Sequence, residues 1–367
     1  MRIGFDGNEA NVKERVGVST YTQNLLFHYQ KMASKNLQFK IYLRSKPLKT
    51  VPDETKYYRY QIISGKFLWS QLFLPVKLLT GEKNDVFFSP AHYIPRFNPS
   101  PSVVTIHDLS YYYYPKDFLK KDLFKLKNWT KYSLYKSKKI IAVSNNTKND
   151  LIKIFGIHDE KIKVIYNGYE KLSDKDSTDQ RLLNKLKKHP YILNVGTLQP
   201  RKNIQTLIEA FAEFIKTNKN YRLVIAGKKG WLYHEIFKKA KSLTVEKYIF
   251  FVDFISNNTL KALYQNAFCL VHPSYYEGFG ITLLEAMNEG CPVISSDKSS
   301  LPETGGNAAL YFDPNDKNQL IKQITNLINH EDLRNTLISN GKQRIKLFSW
   351  KKCATETLEV IKNATIT

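Results

Sequence analysis

The chain has 367 residues, of which 42% are hydrophobic, and this is enough for the cores of two domains and argues against extended disorder. Lysine and arginine number 56 against 33 acidic residues, so the net charge of +23 favours polyanionic partners, although a lysine-rich proteome would give the same excess. No secretion signal or membrane-spanning apolar run is visible, and three scattered cysteines (Cys269, Cys291 and Cys353) lack metal-ligand spacing, so we expect reduced thiols in a cytoplasmic protein.

Short strand-like segments alternate with helix-length segments through the first half of the chain. Strands are predicted over residues 1–7, 37–43, 85–89, 103–107, 139–144 and 163–166. Helices are predicted over residues 18–31, 118–135 and 147–154. This alternation predicts a parallel sheet that is covered by helices on both faces.

The stretch from 170 to 189 (EKLSDKDSTDQRLLNKLKKH) is charged and poor in strand formers, which is typical of a linker. The alternation then resumes, with strands predicted over 191–196, 222–227, 248–252, 268–271 and 292–296. Helices are predicted over 204–216, 232–241, 258–265 and 280–289. The pattern therefore predicts an α/β protein with two doubly wound domains, whose ligands bind beyond the carboxyl ends of the strands.

Two glutamates lie at a junction between a strand and a helix, in the stretch HPSYYEGFGITLLEAMNEGCPVISSD. Gly278 and Gly280 allow backbone N–H groups to approach a ligand at a helix start, which carries positive partial charge. With Glu277 in the loop and Glu285 on the helix, both carboxylates are suited to accept hydrogen bonds from sugar hydroxyls. The alternative is structural: Glu277 balances the helix dipole and Glu285 is a solvated helix residue.

A second unusual stretch, NVGTLQPRKNIQTLIEA, follows the first strand of the second domain. It contains Gly196 and then the basic pair Arg201 and Lys202 directly before a helix. A guanidinium beside an ammonium forms a clamp for a diphosphate. A solvated basic turn is the alternative, but cations at a helix start oppose the helix dipole, so we favour an anion site.

Two weaker signals lie in the first domain. His107 ends a predicted strand in VVTIHDLSYYYYP, where it would orient a substrate or move a proton, or simply pack as a core histidine. Gly17 precedes a helix, as a glycine near a phosphate would, but the GxGxxG dinucleotide motif is absent from this loop.

Together these motifs resemble the family-4 retaining glycosyltransferases of the GT-B fold, and the similarity covers nearly the whole chain. EGFGITLLE resembles the E-x7-E signature of that family, GTLQPRKN its diphosphate-binding segment, and TIHD its histidine strand. SLPETGGNAALYFDP resembles the segment that follows E-x7-E, and LFSWKKCATETLEVI resembles the terminal helix that crosses back to the first domain. The resemblance implies a first domain over 1–172, a linker over 173–188, a second domain over 189–346 facing the first across a cleft, and a crossover helix over 347–367.

The resemblance also implies roles for single residues. Arg201 and Lys202 would neutralise the leaving diphosphate, and His107 would lie near the anomeric carbon. Glu277 would hold sugar hydroxyls, and Glu285 would hold the ribose. The remaining donor-binding positions would be Gly17, Gly196, Asp253, Phe254, Ile255, Gly278, Phe279, Gly280 and Ile281. The loop around Gly17 departs from many relatives, since Val16 and Val18 stand where paired glycines are common.

The function implied is retaining transfer of a hexosyl group from a nucleoside-diphosphate sugar to a hydroxyl of a growing polysaccharide or lipid-linked glycan. GDP-mannose is the first candidate donor and UDP-hexoses are the next. No D-x-D motif is present where a metal-dependent transferase needs one, so we predict neither a metal nor another cofactor. A sugar-nucleotide epimerase of the same architecture and a basic nucleic-acid-binding protein are the competing readings, although no nucleic-acid recognition motif is visible.

Residues 116–139 contain nine lysines and only two acids, Asp117 and Asp122. On a helical projection Leu119, Leu123, Leu126 and Leu134 form a stripe away from several of these lysines. Phe124 and Tyr135 lie among the lysines, and such a surface suits an anionic membrane or a lipid-linked acceptor. The apolar segment 66–79 would add a lip to this surface. A solvated helix face over a core stripe is the alternative.

Overall fold

The computed structural model describes residues 1–13, 17–65, 67–169 and 177–365, and these form two compact units. The first unit combines Met1–Tyr113, Leu119–Gly168 and Phe348–Thr367, and the second combines Tyr114–Phe118 with Tyr169–Leu347. Each unit is built on one parallel sheet with helices packed on it, so the predicted α/β, doubly wound class is confirmed. No helix in the described parts of the chain is long and apolar enough to cross a membrane.

The sheet of the first unit has seven parallel strands in the order β3-β2-β1-β4-β5-β6-β7. The strands are β1 (Arg2–Asp6), β2 (Gln38–Leu43), β3 (Tyr58–Ile62), β4 (Val86–Ser89), β5 (Ser102–Ile106), β6 (Lys139–Ala142) and β7 (Ile162–Val164). The helices are α1 (Gly17–Met32), α2 (Phe73–Thr80), α3 (Ser110–Tyr113), α4 (Lys120–Lys136) and α5 (Asn145–Phe155). Every residue of β4 and β5 is buried, as expected for central strands covered on both faces.

The sheet of the second unit has six parallel strands in the order β10-β9-β8-β11-β12-β13. The strands are β8 (Tyr191–Val195), β9 (Arg222–Ala226), β10 (Ile249–Val252), β11 (Cys269–His272), β12 (Val293–Ser296) and β13 (Ala309–Phe312). The helices are α6 (Gln180–Leu186), α7 (Ile204–Phe214), α8 (His234–Ser242), α9 (Asn257–Asn266), α10 (Ile281–Asn288), α11 (Leu301–Gly305), α12 (Lys317–Asn329) and α13 (Glu331–Arg344).

The last helix, α14 (Trp350–Asn363), packs in the first unit, so the predicted return of the chain is confirmed. Ser349 caps its start, and Cys353, Leu358 and Ile361 are buried against the unit. A methyl group added at Gly168 would lie 2.2 Å from the backbone nitrogen of Trp350, so glycine allows this close approach.

The predicted linker over 173–188 requires a correction. Residues 173–176 lie outside the described residues, but α6 occupies 180–186 and belongs to the second unit. The carboxylate of Asp179 caps the helix by accepting a hydrogen bond from Leu182 N at 3.0 Å. Leu183 and Leu186, three residues apart, bury one face. The charged residues in and around the helix, Arg181, Lys185, Lys187 and Lys188, concealed this short amphipathic pattern.

The leucine stripe predicted on α4 is also only partly a core feature. Leu134 is completely buried, but Leu119 is 42% exposed, and Leu123 and Leu126 are half-buried. The other elements missing from the prediction were strands β3 and β13 and helices α2, α3, α11, α12 and α13. The sequence of β3, YRYQI, alternates polar and aromatic residues, as expected for an edge strand with one buried face.

Candidate active site

The charged residues of the second unit meet because β8 and β11 are neighbours in its sheet. The basic pair follows β8, and the Glu277 loop follows β11. Parallel strands place their carboxyl ends at one edge, so side chains 75 residues apart in the chain come into contact.

Glu277 pairs with both predicted cations. Lys202 Nζ lies 2.5 Å from Glu277 Oε1, and Arg201 Nη1 lies 3.4 Å from Glu277 Oε2. Arg201 also donates a hydrogen bond to the carbonyl oxygen of Tyr276. The three side chains are only 12–16% exposed, so water screens their charges weakly. Two positive charges and one negative charge leave this group with a net charge of +1, which suits an additional anion.

The turn that carries the cations is a single 3₁₀ turn, Pro200–Lys202, rather than the start of α7 itself. Asn203 ends the turn in the left-handed conformation (φ 52°), and its side-chain amide donates to Pro314 O at 2.7 Å. Because this hydrogen bond anchors the turn, Arg201 and Lys202 are held at the sheet edge. Gly196 precedes the turn, and a side chain there would lie 3.8 Å from Lys202 Cε.

The loop that carries Glu277 is fixed by hydroxyl groups from residues 299–306, SSLPETGG. Ser299 Oγ donates to Glu277 O at 2.5 Å and accepts from Glu277 N at 3.0 Å. Ser300 Oγ donates to the same carbonyl at 2.8 Å, and Thr304 Oγ1 donates to Phe279 O. These bonds hold the backbone of 277–279 and explain physically why this segment accompanies the E-x7-E pattern.

Gly280 completes the loop and caps α10. Its φ of 92° suits glycine, and a methyl group there would lie 2.9 Å from Leu301 Cδ2. Gly278 lies between Glu277 and the buried Phe279, and Ile281 is the first residue of α10. The predicted junction between loop and helix is therefore present one residue later than expected, since α10 begins at Ile281.

His272 contributes to this site although the sequence analysis did not single it out. It ends β11, it is only 2% exposed, and its Nε2 lies 3.1 Å from Glu277 Oε1 and 3.2 Å from Ser274 Oγ. Burial lowers the pKa of His272, so the ring is neutral, and a nitrogen facing a carboxylate must carry its proton. His272 therefore donates from Nε2. Its position directly before the glutamate loop was the signal available in the sequence.

The charge state of Glu277 follows from these neighbours. Burial alone would raise its pKa, but Lys202 and Arg201, together with the hydrogen bond from His272, hold the pKa of Glu277 well below its usual range. Glu277 is thus a carboxylate at neutral pH and accepts hydrogen bonds only.

Glu285 has a different environment on α10. Tyr264 donates a hydrogen bond to Glu285 Oε2 at 2.9 Å. Burial raises the pKa of Glu285 to about 7, against an ordinary value of 4.5. The predicted solvated-helix alternative is therefore wrong for Glu285, because its side chain is partly buried and its carboxyl group is hydrogen-bonded to Tyr264, which is completely buried.

This raised pKa predicts a pH-dependent stability. The contribution of the protonated Glu285 carboxyl group to the free energy of unfolding is fully present below pH 4.5 and is lost as the pH rises through about 7. The reason is that the folded state holds the proton more tightly than the unfolded state does. Glu285→Gln cannot ionise, so we expect its stability relative to the natural protein to increase between pH 5 and pH 8, by on the order of 2 kcal/mol. Thermal unfolding across this range is the measurement, with the exposed Glu331→Gln as control. A constant difference would contradict the assignment.

The segment predicted to meet the base follows β10. Asp253 and Phe254 are exposed and Ile255 is half-buried, and Asp253 Oδ1 accepts from Phe254 N at 2.8 Å. Lys228, which follows β9, places its ammonium 4.4 Å from the ring centre of Phe254. This cation and ring lie beyond the ends of neighbouring strands, and Lys228 was not predicted as a site residue from the sequence.

His107 and Gly17 both belong to the first unit. His107 follows β5, and its Nε2 lies 2.7 Å from Pro90 O, so this nitrogen donates and Nδ1 is the acceptor of the ring. Burial, with His92 nearby, lowers the pKa of His107 to about 4, so the ring is neutral at physiological pH. Gly17 is the exposed first residue of α1, and Val16 lies outside the described residues.

Within the described ranges, no group of three or more His, Cys, Asp or Glu residues is arranged to hold a metal ion. The three cysteines are buried, separate thiols.

Two family profiles cover most of the chain. The profile described as Glycosyl transferases group 1 matches residues 175–344, and that of Glycosyltransferase Family 4 matches residues 17–171. The chain is 30% identical to O-antigen chain mannosyltransferase B of Escherichia coli over 292 residues, which cover 76% of this chain and 74% of that protein. It is 34% identical to O-antigen chain mannosyltransferase RfbU of Salmonella typhimurium over 228 residues, which cover 61% of this chain and 60% of that protein.

The chain belongs to the family-4, group 1 glycosyltransferases. The resemblance stated from the motifs is thus confirmed, and so is the assignment as an enzyme of the hexosyltransferase class.

Solved structures show the fold of this glycosyltransferase. Sucrose-phosphate synthase from Thermosynechococcus elongatus superposes with a TM-score of 0.77 at 20% identity, covering 99% of this chain and 98% of that chain. Anabaena Alr3699/HepE, solved in complex with UDP-glucose, gives 0.76 at 18% identity, covering 99% and 100%. The predicted GT-B fold with two Rossmann-like units is confirmed.

Proposed function

We propose that this glycosyltransferase transfers a hexosyl group, with mannosyl as the first candidate, from a nucleoside-diphosphate sugar to a hydroxyl of a glycan or lipid-linked glycan, with retention and without a metal. Support for mannose comes from the two relatives named as O-antigen mannosyltransferases. Support for a nucleotide-sugar donor comes from Alr3699/HepE, which was solved with UDP-glucose. GDP-mannose is the first donor to test and UDP-hexoses are the next.

The observation that carries the proposal is the contact of Glu277 with Arg201 and Lys202 at one edge of the second sheet. Loss of the sugar leaves a diphosphate whose charge must be stabilised while the bond breaks. Fixed, weakly screened cations do this without reorganisation, and such electrostatic stabilisation is usually the largest contribution to catalysis. Glu277 is ionised and serine hydroxyls hold its backbone, which supports a role in accepting hydrogen bonds from sugar hydroxyls.

In the proposed reaction the bond between the anomeric carbon and the phosphate oxygen breaks, and its electron pair stays on the diphosphate. The acceptor oxygen bonds to the same face of the anomeric carbon, and its proton passes to the departing phosphate oxygen. Arg201 and Lys202 hold the diphosphate, Glu285 holds the ribose, and neutral His107 accepts from a donor hydroxyl through Nδ1. Glu277 and Glu285 are bound to other groups, so neither is assigned as a covalent nucleophile.

Thermal unfolding with a panel of nucleoside-diphosphate sugars tests the donor, because specific binding stabilises in proportion to affinity. We expect one GDP- or UDP-sugar to raise Tm clearly above the others. Incubation with that donor alone, and then with an acceptor, separates transfer from epimerisation. An isomerised sugar without acceptor would contradict transfer, and activity abolished by a chelator and restored by Mg²⁺ would contradict metal independence.

We also propose that the enzyme works at the cytoplasmic face of a membrane, where it binds through the surface of 116–139. Phe124 is 65% exposed and Tyr135 53% exposed among the lysines of α4. In the same unit, the described part of the apolar lip exposes Phe67 (85%), Val76 (60%) and Leu79 (58%), while Lys66 lies outside the described residues. Exposed apolar side chains beside lysines suit the interface of an anionic bilayer.

Flotation with vesicles tests this surface. We expect the protein to float with phosphatidylglycerol vesicles at low salt, less at high salt, and not with phosphatidylcholine alone. Phe67→Ser combined with Phe124→Ser should weaken flotation, whereas Lys216→Ser and Lys219→Ser on the second unit should not. If the natural protein stays at the bottom of the gradient at low salt, the membrane proposal fails.

A further inference from the structure

A groove of about 1010 Å³ lies in the first unit beyond the amino ends of β5, β6 and β7. It is formed by the loop over 94–101, the end of α4 and the turn before β7. Ser102 at the start of β5 lines the groove, and His107 follows the other end of the strand, so the two positions are about 16 Å apart. The groove is therefore distinct from the sheet edge that carries the candidate site residues of this unit.

The groove has a strong excess of positive charge. Lys136, Lys138, Lys139 and Lys161 line it together with a single carboxylate, that of Glu160. Among the described residues no carboxylate lies within ion-pair distance of these four lysines. Lys139 Nζ and Lys161 Nζ instead donate to backbone carbonyl oxygens, at 2.9 and 3.0 Å. The lining of the groove is thus positive overall, with Lys139 and Lys161 held by backbone carbonyl groups and Lys136 and Lys138 exposed.

Aromatic and polar groups complete the lining. Phe97 is 74% exposed and has a φ of 59°, a conformation that costs energy for a bulky residue and recurs at binding sites. The ring of Tyr132 packs 5.1 Å from the guanidinium of Arg96. Ser137 lines the groove, and its buried hydroxyl has no hydrogen-bond partner within the described part of the chain. Ser137 therefore adds a hydroxyl group that can hydrogen-bond with a polar ligand group.

We propose that this groove binds an acidic saccharide chain, with phosphate or carboxylate groups on the lysines and a sugar ring on Phe97. The identification of this ligand as a glycan rests on the proposed function, since the ligand would be the growing acceptor, bound at a distance from the site of transfer. A nucleic acid fits less well, because sequence-independent single-strand binding uses several aromatic rings for successive bases, and here one ring is prominently exposed. The size of the groove exceeds that of a single sugar ring.

The test uses the full protein and a fluorescent heparin hexasaccharide, whose sulfates stand in for the acidic groups. We expect salt-sensitive binding by the natural protein and no binding of an uncharged hexasaccharide. Each exposed ion pair contributes a few-fold, so Lys136→Ala with Lys138→Ala should weaken binding by about tenfold. Phe97→Ala should weaken it as well. Lys31→Ala with Lys35→Ala removes the same charge from exposed sites elsewhere in the unit and should change binding by less than about twofold.

Three outcomes would contradict the proposal that this groove binds an acidic saccharide. Equal losses in the two double variants would mean diffuse attraction by net charge, and unchanged binding in the Lys136 and Lys138 variant would place the ligand elsewhere. Tighter binding of a single-stranded oligonucleotide of equal charge would replace the saccharide with nucleic acid. The donor should raise the Tm of these variants by as much as it raises that of the natural protein. If the donor stabilises neither the natural protein nor the variants, the transferase proposal fails, and the groove proposal is tested separately by the binding of the hexasaccharide.

Discussion

Lys202→Ala is expected to lower kcat by about two orders of magnitude or more, as removal of one electrostatic donor commonly does. The side chain of Lys202 is 16% exposed and its ammonium lies 2.5 Å from Glu277 Oε1, so its charge acts where water screens it weakly. Initial rates at saturating donor and acceptor are the measurement. Because the loss concerns charge that develops during bond breaking, we expect a smaller effect on KM.

Two further variants serve as controls for the effect of Lys202→Ala. Lys202→Arg keeps the charge and should recover part of the lost rate, though less than all of it, since a planar guanidinium does not reproduce a compact ammonium. Lys216→Ala removes a lysine that is 71% exposed on the same unit and should leave kcat unchanged. Near-normal turnover of a folded Lys202→Ala protein would remove the cation pair from the mechanism.

Glu277→Gln is expected to lower both activity and the stability of the ligand-free protein. The substitution leaves Arg201 and Lys202 without their shared carboxylate, and breaking a largely buried pair in this way typically costs about 3 kcal/mol or more. The rate should also fall by about a hundredfold, because sugar hydroxyls lose a charged acceptor. Thermal unfolding and initial rates measure the two effects.

The same variant provides a sharper test of the anion site. A nucleoside diphosphate supplies the missing negative charge, so we expect GDP or UDP to raise the Tm of Glu277→Gln by more than it raises that of the natural protein. Glu213→Gln, at an exposed helix position that is half solvent-accessible, is the matched control and should respond as the natural protein does. If the diphosphate stabilises all three proteins equally, Glu277 and the diphosphate do not share these cations.

Much of the fold was predictable from local pattern. The alternation of β-branched runs with amphipathic segments gave most strands and helices of both units, because periodicity is a local property of the chain. The prediction stopped before β13, α12 and α13, and elsewhere it was wrong or silent at elements whose local signal was weak. The short helix α6 is interrupted by charges, β3 is a polar edge strand, and α2 is so apolar that no helical face stands out.

The candidate site shows the same division. Glu277, Arg201 and Lys202 were predicted because carboxylates, cations and glycines after strands are unusual in a purely structural role. His272 and Lys228 were not predicted, since a single histidine or lysine carries no local signal until its neighbours are known. The pKa of Glu285 could not be predicted either, because it depends on the burial of its carboxyl group beside Tyr264, on another helix.

The amino-acid sequence alone specified that two sets of alternating strands and helices form, that a glycine-containing loop lies between two glutamates, and that a basic turn precedes a helix. Each of these features depends on residues that are close together in the chain. Only the folded chain decided that β8 lies beside β11, that serines after β12 hold the loop of Glu277, and that α14 returns to the first unit. Such pairings join residues far apart in the chain, and they depend on how sheets and helices bury their apolar faces together rather than on any local pattern.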